Sequence, residues 1–328
     1  MGDPAPATRT RIPPGSGAIV MGTGIVSVAL ALDHRQALSR IWLGFAAAAW
    51  LLLAVVIVTR LAWNRGPLRA EADSPAGLTG VAASAVLGSR LAMSGLRAEA
   101  IALLIVASAM WLVLSGALLR RRWIPRAGSS FMLTVSVQSL AVLAVLISSR
   151  ETAWLTYAGL AAFVLGLALY PLVLARFDPR ELRGGAGDQW VAGGALAISA
   201  LCAGEIGLAA ARTGTLHPAL PALHTASVVI WSASVLWIPA LVACELVAPR
   251  LRYDVRRWAT VFPVGMYAAS SFQTARVGHL PLARSVAGAG TWVAVAVWLI
   301  VFAGMTGRAV RTAEAIRPGG HSGGPPIG

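Results

Sequence analysis

The most constraining feature of this sequence is a succession of apolar stretches, each about as long as a membrane-spanning helix. A helix rises 1.5 Å per residue, so crossing the ~30 Å hydrocarbon core of a bilayer takes roughly 20 apolar residues. Short polar segments separate the stretches. We predict ten transmembrane helices, at residues 15–32, 41–63, 76–95, 98–119, 128–149, 152–174, 188–211, 222–247, 257–279 and 283–306.

Composition places the chain in the membrane class as well. Hydrophobic residues make up 57% of it and charged residues 12%, whereas soluble domains carry roughly 25% charged residues. Segments 1–14 and 307–328 are polar, so we predict flexible tails on either side of a membrane domain at 15–306. Cys202 and Cys244 lie inside apolar stretches without the spacing of a metal site or a disulfide. No metal or cofactor is therefore expected.

The distribution of arginine predicts the orientation in the membrane. All 27 basic residues are arginines, and the formal net charge is +14. With ten helices, 19 of the 27 arginines fall on the side that also holds both termini. The positive-inside rule makes that side cytoplasmic, which predicts a multi-pass plasma-membrane protein in the lipid bilayer. Because these arginines lie in short loops between apolar stretches, we expect no nucleic-acid partner.

Odd-numbered and even-numbered stretches differ in character. The second, fourth and sixth are bulky and apolar, which suits contact with lipid. The odd stretches hold glycine, serine, threonine and glutamine. Short linkers generally join each odd stretch to the next even one, so we predict five antiparallel helical hairpins. In this all-α integral membrane fold, the odd helices lie inside and the even helices outside.

The small and polar residues of the odd stretches recur on single helix faces, and two interpretations compete. Small residues allow helices to pack closely, so each face alone is explained by packing. Five such faces together favour a central conduit, because glycine side chains cannot fill its axis. The candidate pore-lining residues are Gly22, Thr23, Ser27, Gly80, Ser84, Gly88, Thr134, Gln138, Gly193, Ala197, Gly204, Gly265, Ala269 and Gln273.

Three charged residues of the odd stretches are further candidates. Glu205 lies well inside the seventh stretch, where an ionisable group is costly and often functional. It is either a proton site or a structural group, and His224 is either its partner or an interfacial histidine. Arg90 and Arg276 end two odd stretches on the outer side, where they either attract anions to the mouth or extend into the headgroups.

Enzymatic function finds little support in the sequence. It contains no H-E-x-x-H, no G-x-S-x-G and no P-loop. An integral-membrane enzyme would need convergent polar groups that the pattern does not provide. A receptor or scaffold would not need five glycine-rich helices. We therefore expect a transport protein and not an enzyme.

Three motifs resemble one known family. They are V-M-G-T-G-I-V-S at 20–27, G-D-Q-W-V-A-G-G-A-L-A-I-S at 187–199 and W-x-x-x-F-P-x-G-M-Y-A at 258–268. The same motifs, in the same order on ten apolar stretches, are typical of the tellurite-resistance/C4-dicarboxylate transporter family, which this chain therefore resembles. That family includes slow-type anion channels of plant guard cells, a malate permease and a sulfite pump.

The resemblance implies a quasi-fivefold ring of helical hairpins around a central pore, and assembly as a homotrimer. It implies an anion channel or secondary transporter for small anions or organic acids, or a proton-coupled exporter of sulfite, tellurite or C4-dicarboxylates. The family pore is closed by a phenylalanine of the ninth helix, which the motif match places at Phe262. The alternative for Phe262 is packing against a neighbouring helix.

Overall fold

A computed structural model describes residues 15–63, 74–121, 125–250 and 252–316, which form α-helices joined by turns and short 3-10 segments, without a β-strand in these ranges. The predicted tail 1–14 and the end of the chain from 317 lie outside the described residues. The helices are α1 Gly17–Leu32, α2 Gln36–Trp63, α3 Thr79–Met93, α4 Arg97–Arg121, α5 Met132–Ile147, α6 Trp154–Leu174, α7 Glu181–Gly184, α8 Val191–Thr213, α9 Leu220–Val235, α10 Trp237–Val247, α11 Trp258–Gly278 and α12 Pro281–Ile316.

Eight of the described helical segments are long and apolar enough to cross a membrane. Helix α1 is apolar but has only 16 residues, and α11 is outside this set although it has 21 residues. The serines, glutamine and arginine of α11 lower its mean hydropathy. The chain is therefore an all-helical, multi-pass membrane protein.

Burial divides the long helices into two sets. In the segments containing α3, α5 and α8, 72%, 89% and 83% of the apolar 18-residue stretch is buried. In the segments containing α2, α4 and α6, the buried share of that stretch is 11%, 17% and 28%. Helices α1 and α11 are also almost wholly buried. We call α1, α3, α5, α8 and α11 the inner helices, and α2, α4, α6, α9 with α10, and α12 the outer helices. Leu52, Leu112 and Leu172 are exposed on outer helices, as expected where lipid covers the surface.

The inner helices contact one another in chain order. Helix α1 packs against α3, α3 against α5, α5 against α8, α8 against α11, and α11 against α1. Each inner helix also packs against the outer helix that follows it in the chain. The segments joining these pairs are short, for example residues 33–35 between α1 and α2 and 279–280 between α11 and α12.

Close approach between inner helices depends on glycine at their beginnings. A Cβ atom on Gly17 would lie 2.7 Å from the backbone carbonyl carbon of Thr79. A Cβ atom on Gly128 would lie 2.4 Å from the backbone oxygen of Asp188. Backbone atoms cannot rotate away as a side chain can, so any larger residue forces the segments apart.

Two helices differ from the predicted stretches. Stretch 222–247 is broken at Leu236 into α9 and α10. Pro239 explains the break, since a proline ring clashes with the carbonyl four residues earlier, which is that of Val235. Helix α12 continues to Ile316, past the predicted end at 306, because no proline interrupts it before Pro318. Part of the predicted C-terminal tail is therefore helical.

Candidate functional site

A cavity of about 510 Å³ lies between the C-terminal halves of the five inner helices. Every inner helix contributes to its wall, and most lining side chains are apolar. Counted from each helix N-terminus, the first lining residues are Ile25, Val86, Ser139, Ile198 and Met266. The cavity thus has one contributor per inner helix at its deepest level and lies on the side where these helices end.

Charged side chains line the same cavity nearer the helix C-termini. Glu205, Arg212 and Arg276 are in its wall. The two arginines are exposed, whereas Glu205 is half-buried. Arg212 donates from Nη2 to the backbone oxygen of Val145 on α5, at 2.9 Å. Both arginines are in the last turns of their helices, where a positive charge complements the helix dipole.

The charge balance at this end of the cavity is positive. The carboxylate of Glu205 interacts electrostatically with the guanidinium groups of Arg212 and Arg276. Two cations face one carboxylate, so an anion entering from this side meets an attractive potential. The hydroxyls of Ser89 and Ser139 donate to carbonyls of their own helices. Away from the three charged residues, the wall therefore offers only apolar side chains and weak dipoles.

The inner helices are tightly packed one turn before the cavity. Phe262 precedes the lining residue Met266 by four residues, so the two share a face of α11. Met21, Ala82 and Val135 have the same relation to the first lining residues of α1, α3 and α5. All four side chains are fully buried. We call Met21, Ala82, Val135 and Phe262 the apolar layer.

Comparison with known proteins identifies the family. The family model for the voltage-dependent anion channel (SLAC1) matches residues 11–306. The chain belongs to the voltage-dependent anion channel family. The family expected from the three sequence motifs is thereby confirmed, and its members carry anions across membranes.

Two relatives in Mycobacterium tuberculosis agree with this assignment. They are uncharacterized membrane proteins from two strains, each 37% identical to this chain over 166 residues. The match covers 47% of this chain and 79% of each relative. They support membrane location and leave the choice of anion open.

None of the fourteen predicted pore-lining residues, all of which are described, lines the cavity of this channel-family protein. Three of the four hydroxyl groups in this set, those of Thr23, Ser27 and Ser84, bond to residues of outer helices instead. Thr23 accepts a hydrogen bond from Trp298 Nε1 at 2.9 Å, and Ser84 accepts one from Trp50 Nε1 at 2.9 Å. Ser27 exchanges hydrogen bonds with a serine of α2. In the structure, these residues act in helix packing.

The predicted glycines also lie at helix contacts. A Cβ atom on Gly80 would meet Met110 of α4, and one on Gly88 would meet Leu143 of α5. Four others face side chains of neighbouring inner helices, namely Gly22, Gly193, Gly204 and Gly265. The sequence left two interpretations of these glycines open, packing and a pore wall. Their contacts in the structure are those of packing between helices. Exposure to a conducting pore stays a prediction.

The remaining predicted residues are buried. Gln138 donates from Nε2 to the backbone oxygen of Phe163 at 3.2 Å and to Ser199 Oγ at 3.1 Å. Its Oε1, like Gln273 Nε2 and Thr134 Oγ1, has no hydrogen-bond partner in the described part of the chain. The last two residues of the set are also fully buried, namely Ala197 and Ala269.

The two predicted mouth arginines have different surroundings. Arg276 lines the cavity, but Arg90 is only 2% exposed and donates from Nε to Ser39 Oγ at 2.9 Å. Arg90 therefore ties α3 to α2. His224 packs against Gly207 of α8.

Sequence reasoning missed Arg212 as a cavity residue. Arg212 comes one residue after the predicted stretch 188–211, so the pattern alone places it in a loop. The available signal was its spacing from Glu205, since residues seven apart lie on one face of a helix.

Proposed function

We propose that this protein conducts small anions or organic acids across the plasma membrane through the axis of its inner helices. Membership of an anion channel family supports transport of anions. The observation that carries the proposal is a cavity walled by all five inner helices, with two guanidinium groups at its mouth. The apolar layer beneath it, including Phe262, is proposed as the gate.

The proposed architecture has ten transmembrane helices, forming five hairpins in a quasi-fivefold ring. Helices α1 and α11 cross the membrane in this proposal although neither meets the length and hydropathy of the other eight. They contact protein on all sides and so need less apolar surface. The cyclic order of contacts among the inner helices supports the ring. A homotrimer is a further part of this proposal.

Weak binding is what a conduit requires, because an ion held tightly cannot leave. Arg212 and Arg276 raise the local concentration of anions at the mouth. The uncharged residues at the deep end of the cavity have no group that would hold an anion tightly. We therefore propose a channel first and a coupled transporter second.

Anion flux in liposomes tests the proposed function. Purified protein should dissipate gradients of one or more of chloride, nitrate, sulfite, tellurite and malate, while protein-free liposomes hold them. Folded protein that passes none of these anions would count against the proposal and in favour of an enzyme or a scaffold.

A proton-coupled exporter is the second candidate, because Glu205 is a carboxylate in the cavity wall. For a channel, we expect Glu205→Gln to raise flux by roughly twofold or more, since it removes a negative charge beside the anion path. For a proton-coupled exporter, the same change should abolish transport driven by a pH gradient. Flux measured with and without that gradient separates the two mechanisms.

The proposed orientation places both termini in the cytoplasm. We expect a membrane-impermeant maleimide, added to intact cells, to label His217→Cys and leave Ala175→Cys unlabelled. Both positions are exposed, and they lie at opposite ends of the helices. The background should lack Cys202 and Cys244. Labelling of Ala175→Cys alone would reverse the orientation.

A further inference from the structure

A second cavity, of about 350 Å³, lies on the side where the inner helices begin. One wall is formed by residues 183–186, at the end of α7. The other is formed by residues between α10 and α11, namely 248–250, Arg252, Asp254 and Arg257. Four arginines line it, namely Arg183, Arg250, Arg252 and Arg257. None of these residues belongs to the cavity between the inner helices.

Two of the arginines are already bound by protein groups. The Glu245 carboxylate accepts hydrogen bonds from Nη1 of Arg250 and Nη1 of Arg257, both at 2.7 Å. Nη2 of Arg250 also donates to the backbone oxygens of Leu182 and Arg183, at 3.0 and 2.9 Å. The side chain of Arg250 therefore fixes the 182–185 segment against the end of α10.

The other two arginines are available to a ligand. Arg183 and Arg252 are exposed, and within the described ranges neither guanidinium has a hydrogen-bond or ion-pair partner. The carboxylate of Asp254, which also lines the cavity, is paired with Arg256 at 3.3 Å. Glu245 is shared by two arginines, so the cavity keeps an excess of positive charge.

The position of the cavity points to lipid. Leu246 and Val247, at the end of α10, are 77% and 71% exposed. Ala248 and Pro249, which come next in the chain, line the cavity. Exposed apolar side chains of a membrane protein contact acyl chains, and so the cavity opens where acyl chains give way to headgroups.

We propose that this cavity binds an anionic phosphate ester, supplied as the headgroup of an anionic phospholipid. Arg183 and Arg252 contact the phosphate, because a guanidinium matches the geometry of phosphate oxygens. Arg250 and Arg257 stay bound to Glu245 in the wall. Basic pockets at the membrane surface are known to bind such headgroups. A soluble phosphate ester shares this chemistry, whereas the exposed end of α10 favours the lipid.

Binding of short-chain lipids to the purified full-length protein tests the proposal. The probes are dioctanoyl phosphatidylglycerol, dioctanoyl phosphatidylcholine and glycerol 3-phosphate, with bound molecules counted by native mass spectrometry. We expect phosphatidylglycerol to bind more tightly than phosphatidylcholine. The variant Arg183→Gln/Arg252→Gln should weaken phosphatidylglycerol binding by on the order of tenfold. Both side chains are exposed, so its thermal unfolding should match that of the unmodified protein.

The matched control is Arg176→Gln/Arg180→Gln, which removes two exposed arginines of the same side that lie outside the cavity. It should leave phosphatidylglycerol binding unchanged. Equal weakening in both variants, or no preference for phosphatidylglycerol, would overturn the proposal. If glycerol 3-phosphate competes at the same concentration as the lipid, the site is supported and its ligand is the soluble ester. These outcomes do not depend on anion flux.

Discussion

Replacing Phe262 with alanine should raise anion conductance by roughly an order of magnitude or more, as expected when a hydrophobic constriction is widened. Phe262 is the largest side chain of the apolar layer, and it lies one turn below the cavity residue Met266 on the same face of α11. Apolar side chains that fill the axis exclude both water and ions. Truncation opens the axis without removing a charge.

The preference for anions over cations should change little in Phe262→Ala. It depends on the positive mouth formed by Arg212 and Arg276, which the substitution leaves intact. The measurement is liposome or single-channel flux, made beside a thermal unfolding curve.

Phe163→Ala is the matched control for this substitution. Phe163 is a buried phenylalanine of the outer helix α6. Its truncation should cost about 3–5 kcal/mol of unfolding free energy without raising flux. If Phe262→Ala behaves as this control does, Phe262 is a packing residue and the gate lies elsewhere.

Gly128→Ala should destabilise the fold by roughly 1–3 kcal/mol or more, the typical cost of overpacking. The new Cβ atom would lie 2.4 Å from the backbone oxygen of Asp188 and 2.5 Å from its carbonyl carbon. Relief requires the segment before α5 to move away from the segment before α8. Because both segments begin inner helices, the movement would loosen the whole cycle of contacts.

Gly116→Ala provides the comparison for Gly128→Ala. Gly116 lies on the outer helix α4, and a Cβ atom there would meet nothing within 4 Å. Alanine in a helix interior should be neutral or stabilising by roughly 0.5–1 kcal/mol. Equal unfolding midpoints for the two variants in the same detergent would show that the close approach at Gly128 does not limit stability.

The all-helical fold and the contrast in burial between odd and even stretches could be predicted from the sequence, for a physical reason. A lipid environment demands long apolar helices. Stretches of bulky apolar residues face lipid, whereas stretches rich in small residues face protein. Whether a stretch forms a helix, and whether lipid or protein covers that helix, depends on the composition of the stretch itself.

The contacts of individual polar residues could not be predicted in the same way. The partner of Thr23 is Trp298, which is 275 residues away in the chain. Glycine and serine suit both a close helix contact and a pore wall, so pattern alone could not choose between them. The cavity is lined instead by apolar residues such as Ile198 and Met266, which carry no sequence signal of function.

The central claim is that anions pass along the axis of the inner helices, and a cysteine in the cavity wall tests it most directly. Ser139 lines the cavity, and cysteine is close to serine in size. The Ser139→Cys variant, without Cys202 and Cys244, should lose most of its anion flux after treatment with a negatively charged methanethiosulfonate. The cysteine-free parent should be unaffected. Undiminished flux through protein that mass spectrometry shows to be fully modified would contradict the claim.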